Sequence, residues 1–358
     1  MARFLYVLLV IVLFGVLIAI HEFGHFITAK LLGVKVNEFA IGMGPALWSR
    51  RKGETLYALR AFPVGGYCAM EGEDEDTGDP RAFSRQKGWK KIIILCAGSF
   101  MNFLLGLVIM VALSLGVTEV SVPVISSFMD GFALEGDGGL MVGDRIVRVD
   151  GHAVWLYSDA LVYLDRNDGV SGIDLVVERD GEQVVLNDFP LTRSIEVEEN
   201  GRTVKKFGLS FTQTEQLSLG GRVKYGFLQS VDFVRIVWMS LGDLVTGRVA
   251  VSELSGVIGV VDVVSEEGAK AQTAAVGIVN VVSMMALIAV NLAVMNLLPI
   301  PALDGGRIFF VLLNGLLYAV ARRRIPEKYE GYVHAGAFVV LLALMAVVAF
   351  HDVWKIFA

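Results

Sequence analysis

Charge is scarce in this 358-residue chain. Asp, Glu, Lys and Arg make up 19% of it, against 54% hydrophobic residues, where soluble domains carry about 25% charge. That balance excludes an ordinary soluble protein, and it excludes disorder, collagen and coiled coil as the dominant class. A basic excess is missing as well. Lys and Arg number 31 against 37 Asp and Glu, a net charge of −6, so there is no electrostatic footprint for nucleic acid. The two cysteines, Cys68 and Cys96, cannot build a disulfide framework. Both also fall in stretches assigned below to the cytoplasm or the membrane, where a bridge is not expected. Low-complexity tracts and obvious repeats are lacking. No A-x-A-like cleavage site follows the first apolar run, so that run is expected to be a span rather than a removable signal peptide.

What the chain does have is long uncharged runs. A spanning helix needs about 20 largely apolar residues. Residues 4–20 form the first run, and its periodicity continues through Phe26, Ile27, Leu31 and Leu32. The second covers 92–116, the third about 275–298 and the fourth 335–350. Between the last two, Pro299, Pro301 and Asp304 lead into a shorter apolar stretch, 308–320, read as a membrane-level helix that does not cross. The expected fold is a multi-pass α-helical membrane protein with four spans in a lipid bilayer. Lys and Arg crowd the loop between the first two spans, from Lys30 to Lys91, and recur at Arg322, Arg323, Arg324 and Lys328. The positive-inside rule makes both loops cytoplasmic. Four spans then place both termini and residues 118–274 outside the cell.

The loops differ in character. Residues 36–72 carry Gly42, Gly44, Pro45, Pro63, Gly65 and Gly66 among apolar residues, a pattern of turns and short strands. The run 71–76 is read as a solvated acidic turn. Residues 118–212 show strand-like alternation broken by Gly143-Asp144, Asp150-Gly151 and Asp180-Gly181, with room for one helix at 156–166. The stretch from Gly139 to Gly151 resembles the PDZ domain of bacterial proteases, where Asp-Gly closes a hairpin. Residues 222–273 have helical periodicity and few charges, expected as amphipathic helices against the membrane or the spans. The resulting division is 1–35, first span; 36–91, cytoplasmic loop with membrane-associated β hairpins; 92–117, second span; 118–212, PDZ domain; 213–274, extracytoplasmic amphipathic helices; 275–358, third and fourth spans.

The chemistry concentrates at His21-Glu22-Phe23-Gly24-His25, an H-E-x-x-H pentad. On a helix, residues four apart share a face, so two imidazoles can bind one metal ion with Glu22 close to a metal-bound water. Polar residues inside an apolar span are costly, about 2.5–3.5 kcal/mol for a central charge, and metal ligation gives them a reason. A catalytic zinc usually takes three protein ligands and leaves one position open. His152, His334 and His351 are candidates for the third, but Asp304 is preferred. It is a lone carboxylate just beyond an apolar run, among prolines and glycines that break the helix, and such breaks are tolerated at membrane depth only under protein cover or beside water.

These segments, with Asn296-x-x-Pro-x-Pro-x-Leu-Asp-Gly-Gly306, resemble the site-2 protease family of intramembrane zinc metalloproteases. Gly42-Met-Gly-Pro45, Phe62-Pro-Val-Gly-Gly-Tyr67 and the PDZ-like insertion resemble it too, across almost the whole chain. The likeness is to bacterial members such as the regulator-of-sigma-E protease. It implies His21, His25 and Asp304 as ligands of one Zn²⁺ per chain and Glu22 as general base. It implies that Asn291, Asn296, Pro299, Pro301, Gly65, Gly66 and Tyr67 handle substrate, with an edge strand near Tyr67 pairing with an unwound chain. It further implies the bacterial inner membrane, an active site near its cytoplasmic side, and single-span membrane proteins as substrates. The client would be an anti-sigma factor receiving its second cut or, alternatively, a remnant signal peptide; a PDZ peptide ligand is a further expected partner. The departures are one PDZ domain where the proteobacterial relative has two, Met43 in place of Phe, and Cys68-Ala69 in place of Val and a Lys-like residue. A non-catalytic PDZ scaffold with structural zinc would want a fourth Cys or His at zinc spacing. A metal transporter would want several polar spans. Neither pattern is visible.

Overall fold

A computed structural model of the chain describes residues 2–73, 77–166, 172–199, 202–248, 256–323 and 325–357. Two compact units emerge, one formed by residues 1–110 and 233–358, the other by 111–232.

The first unit is mainly helical. Its long elements are α1 (Ala2–Leu31) and α2 (Gly88–Ser114), whose last turn falls in the second unit. After the insertion come α4 (Leu219–Val245), which begins in the second unit, α5 (Val257–Lys270), α6 (Ala274–Asn296), α7 (Asp304–Ala321) and α8 (Glu327–Phe357). Five of these helices are long and apolar enough to cross a membrane: α1, α2, α6, α7 and α8. The addition to the four expected spans is α7. It is 18 residues long, about 27 Å at 1.5 Å per residue, just short of the ~30 Å hydrocarbon core.

Val10 and Leu17 of α1 pack with Val264 of α5 and with Val281, Met285 and Ala289 of α6, and all are buried. α5 is therefore an inner layer against the long helices. Its N-cap, Gly256, has no side-chain cap of its own. The cap comes from α8, where the buried Asp352 accepts hydrogen bonds from the amides of Gly256 and Gly259, each at 3.0 Å. The exposed end of a helix dipole thus receives a carboxylate from a distant part of the chain.

Residues 36–70 form two long strands rather than several short ones: β1 (Val36–Lys52) and β2 (Thr55–Met70), paired antiparallel with repeated register shifts. The shifts fold the pair back on itself. Residues 38–41 pair with 56–59 on one side and with 66–69 on the other. Gly42, Gly44 and Gly65 make this possible with positive φ values of 83°, 83° and 90°. Cys68, Met70, Val36, Ala29 of α1 and Ile94 and Leu95 of α2 share a buried cluster, which seats the end of β2 between α1 and α2. At the exit, Lys35 bonds Glu71 at 2.7 Å and holds that carboxyl down to about 2.

The second unit is built on a four-stranded sheet in the order β6-β5-β7-β8, from β5 (Arg145–Val149), β6 (His152–Ala153), β7 (Ile173–Arg179) and β8 (Glu182–Phe189). The β5–β6 and β7–β8 turns carry Asp150-Gly151 and Asp180-Gly181, all four at positive φ, as tight hairpins require. α3 (Tyr157–Arg166) contributes Tyr163 and Leu164 to a core with Ile146, Val149, Leu175 and Val177. Asp144, fully buried, is clamped by Arg179 through two bonds of 2.7 Å. Shorter antiparallel pairs complete the unit: β3 (Glu119–Ser121) with β12 (Thr214–Gln216), β4 (Ser127–Phe128) with β11 (Leu209–Ser210), and β9 (Ile195–Glu199) with β10 (Arg202–Lys206).

Candidate metal centre

His21 and His25 sit one turn apart on α1, and both are buried. Their rings meet edge to face, 4.8 Å between centroids. Two glycines let α2 come close enough to cover them. A Cβ on Gly24 would lie 2.4 Å from the Ala97 carbonyl oxygen, and one on Gly98 would lie 2.4 Å from His25 Nε2. A glycine inside a helix costs about 1 kcal/mol against alanine; here it secures contact between two backbones beside the imidazoles.

Asp304 arrives from a helix break. α6 ends at Asn296, and the Leu303 amide bonds the Ile300 carbonyl at 3.2 Å. Pro301 occupies the second position of that turn and Ala302, with φ of +78°, the third. This is the pattern of a type II turn, whose third position favours glycine. α7 then starts at Asp304. The turn presses so closely on α7 that a Cβ on Gly305 would lie 2.1 Å from the Leu298 carbonyl oxygen, and one on Gly306 would lie 2.3 Å from that of Ile300. The Leu-Asp-Gly-Gly run is therefore a backbone fit that delivers one carboxylate.

The three side chains converge. Asp304 Oδ2 lies 3.2 Å from His21 Nε2 and 3.2 Å from His25 Nε2, and the two nitrogens are 3.2 Å apart. Ligands at about 2.0–2.1 Å from a tetrahedral zinc are about 3.3 Å from one another, so the triangle has the size of one face of such a site. His25 Nδ1 donates to the Ile94 carbonyl at 2.8 Å, which leaves its Nε2 as a lone pair facing the triangle. Asp304 Oδ2 is itself buried and accepts no hydrogen bond of good geometry. A cation fits this donor set; hydrogen bonding alone does not satisfy it. Among the described residues, this is the group of His, Cys, Asp and Glu side chains with metal-holding geometry.

His21 has a partner that no local sequence pattern pairs with it. Asn102 of α2 is fully buried with its amide 3.4 Å from His21 Nδ1, and its Oδ1 has no other donor. Turned so that Oδ1 faces the ring, the amide accepts Nδ1–H and keeps Nε2 free for metal. The signal in the sequence was a lone amide in an uncharged run, which is a functional pointer by default.

A cavity of about 440 Å³ opens on the triangle. His21, His25 and Asp304 line it together with Glu22, Tyr67, Cys68, Ala69, Met70 and Asn296. Of the residues expected to handle substrate, Tyr67 and Asn296 reach this cavity. Gly66 stands behind it, where a Cβ would be 3.6 Å from Glu22 Cγ. Asn291 and Pro299 are exposed, Pro301 shapes the turn, and Gly65 lies against Met43. Residues 66–70 pair with 36–41 on one side; among the described residues no strand pairs with their other side. Tyr67 is fixed by Arg60, which bonds its hydroxyl at 2.5 Å, Glu38 at 2.6 Å and the Gly44 carbonyl at 2.7 Å.

Known proteins are similar to this chain over almost its whole length. The model of peptidase family M50 matches residues 9–344. The chain belongs to that family. This M50 peptidase is 34% identical over 352 residues to a Clostridium acetobutylicum protein that carries a zinc metalloprotease name, with 98% of each chain covered. A Fusobacterium nucleatum protein with a name of the same kind is 33% identical, covering 98% of this chain and 99% of its own. The regulator of sigma-W protease RasP of Bacillus subtilis is 28% identical, covering 97% and 98%. M50 is the site-2 protease family, so the M50 chain is a membrane protease by family.

Proposed function

We propose that this chain is an intramembrane zinc endopeptidase that hydrolyses peptide bonds in transmembrane segments. The observation that supports it best is the 3.2 Å triangle of His21, His25 and Asp304 in one cavity with Glu22. His21, His25 and Asp304 would hold a zinc ion, which would supply a Lewis acid and make water more acidic there. Glu22 takes the proton from the attacking water on a carboxylate oxygen and delivers it to the leaving amine nitrogen. Residues 66–70 offer their free edge to an extended stretch of substrate, holding its backbone beside Glu22 by strand addition. A transmembrane helix must unwind to be cut, because its carbonyls are otherwise engaged, and pairing with an edge strand gives the unwound backbone its hydrogen bonds.

In this reading α1, α2, α6 and α8 are the four spans, and α7 is a partial helix that starts at the metal centre inside the membrane. The basic stretch up to Lys91 and residues 322–328 face the cytoplasm of a bacterium. Both termini and a PDZ domain at 118–212 lie outside the inner membrane, and the active site, with one zinc, opens near the cytoplasmic leaflet. The client class is a single-span anti-sigma factor already cut once; the name of the Bacillus subtilis relative supports this. The PDZ domain would bind a peptide segment of such a client.

The test is cleavage of a tagged single-span substrate by the purified full chain in detergent. Glu22→Gln is expected to lower turnover by at least about a hundredfold while zinc stays bound. Chelation should abolish cleavage by the wild type, and added zinc should restore it. Undiminished turnover by a pure Glu22→Gln sample would remove Glu22 from the role of base.

A further inference from the structure

The turn that presents Asp304 contains a misfit. Ala302 occupies the left-handed region, with φ of +78°, at a position where a residue with a Cβ is disfavoured and glycine is at ease. The turn's own hydrogen bond, from the Leu303 amide to the Ile300 carbonyl, does not engage the Ala302 amide. The compensation comes from α8. The Ala302 amide donates to His334 Nδ1 at 2.9 Å, across 32 residues. The imidazole that accepts it is itself located by packing, with its ring 5.4 Å from that of Phe310 on α7. Accepting at Nδ1 leaves the proton on Nε2, whose nearest acidic group is Glu330 at 4.0 Å.

The consequence reaches the metal centre in two residues. Ala302 precedes Asp304, and the same short segment carries the turn hydrogen bond from Leu303 to Ile300. Rotation of the 301–302 peptide away from His334 would release the left-handed conformation and swing the carboxylate off the triangle. Ala302 and His334 both line a larger cavity of about 1050 Å³, and Ala302 also lines the cavity of the metal centre. The turn is therefore the wall between two hollow spaces, packed against the start of α7 on one side and bonded to His334 of α8 at Ala302.

We infer that His334 is a positioning residue for the metal centre, holding Ala302 in its left-handed turn so that Asp304 points at His21 and His25. This rests on Asp304 being a metal ligand, as proposed above, and it assigns to α8 a share in building the site. His334 touches neither substrate nor metal; it acts through one backbone amide.

Two single substitutions separate the hydrogen bond from the ring. His334→Phe keeps an aromatic ring against Phe310 and loses the acceptor. His334→Asn loses the ring and keeps an acceptor at the place of Nδ1. Zinc affinity of the full-length protein in detergent, measured by competition with a chromophoric chelator, is the readout. His334→Phe is expected to bind zinc about 10–100-fold more weakly, the usual effect of losing a group behind a ligand. His334→Asn should stay within about threefold of the wild type. Ala302→Gly should suppress the defect, because glycine adopts φ of +78° without help, and His334→Phe with Ala302→Gly should return to within about threefold of the wild type. Asp304→Ala completes the set. If Asp304→Ala loses zinc while His334→Phe binds it as the wild type does, the role of His334 is overturned and the ligand assignment stands. If Asp304→Ala retains full affinity, the ligand assignment fails and this inference fails with it. A His334→Phe defect that Ala302→Gly leaves untouched, or that His334→Asn shares in full, would also overturn the inference, since the ring rather than the hydrogen bond would then matter.

Discussion

A buried amide in an apolar span is costly unless its hydrogen bonds are made. Asn102 is such an amide, with no exposed surface and one ring nitrogen as neighbour. Its pairing with His21 mirrors the bond between His25 and the Ile94 carbonyl. Each imidazole is thus fixed from behind, one by a backbone oxygen and the other by a side chain. Only the second can be removed by mutation. Asn102→Leu is expected to weaken zinc binding about 10–100-fold while leaving the helical circular dichroism unchanged; an unaltered zinc affinity would show that His21 holds its tautomer unaided. The three converging side chains were legible in the sequence because His21 and His25 are four apart and Asp304 stands alone among prolines and glycines. Asn102 was not, because its partner is 81 residues away and no local pattern marks the pairing.

At the scale of elements, the site depends on how closely α1 and α2 approach. Gly24 fills one of the two variable positions of the H-E-x-x-H pentad, and sequence spacing gave it no role. The close approach of the Ala97 carbonyl explains it. Gly24→Ala should force the helices apart, costing about 1–3 kcal/mol of stability and lowering zinc affinity as well. Gly331→Ala in α8 is the control. A Cβ there meets nothing within 4 Å, and the change should be neutral or slightly stabilising. Thermal unfolding of the two variants in the same detergent distinguishes a packing requirement from a general intolerance of alanine. The strands tell a related story. Gly and Pro density identified 36–72 as non-helical, yet two long strands formed instead of several short ones, since glycines at positive φ let one strand bend and pair twice. Register shifts of this kind are set by the partner strand, which composition does not reveal.

For the whole molecule, apolar run length made the membrane helices plain, and the Asp-Gly turns marked the hairpins of the second unit. The inner position of α5 was less accessible. Its sequence is amphipathic, which fits a helix on a membrane surface as well as one packed between others, and the burial of Val264 against Val10, Val281 and Met285 decides the matter. No local pattern marks Asp352, because the amides it caps lie 96 and 93 residues earlier. Asp352→Ala should leave the Gly256 and Gly259 amides without a cap and lower stability by about 1–2 kcal/mol, read as a lower melting temperature in detergent. If the melting temperature does not move, the carboxylate is dispensable and the amides have found another acceptor.

That cap also bears on how the protein is made. Asp352 lies 93 residues after Gly259, so α5 leaves the ribosome well before the group that completes its N-terminus. At about 5–20 residues per second of synthesis, the gap lasts roughly 5–20 seconds. During that time α1, α5 and α6 can associate, but α5 waits with open amides. Assembly of the first unit is therefore finished from its C-terminal end, and a nascent chain stalled before residue 352 would hold His21, His25 and Asp304, the proposed metal ligands, in a bundle not yet closed.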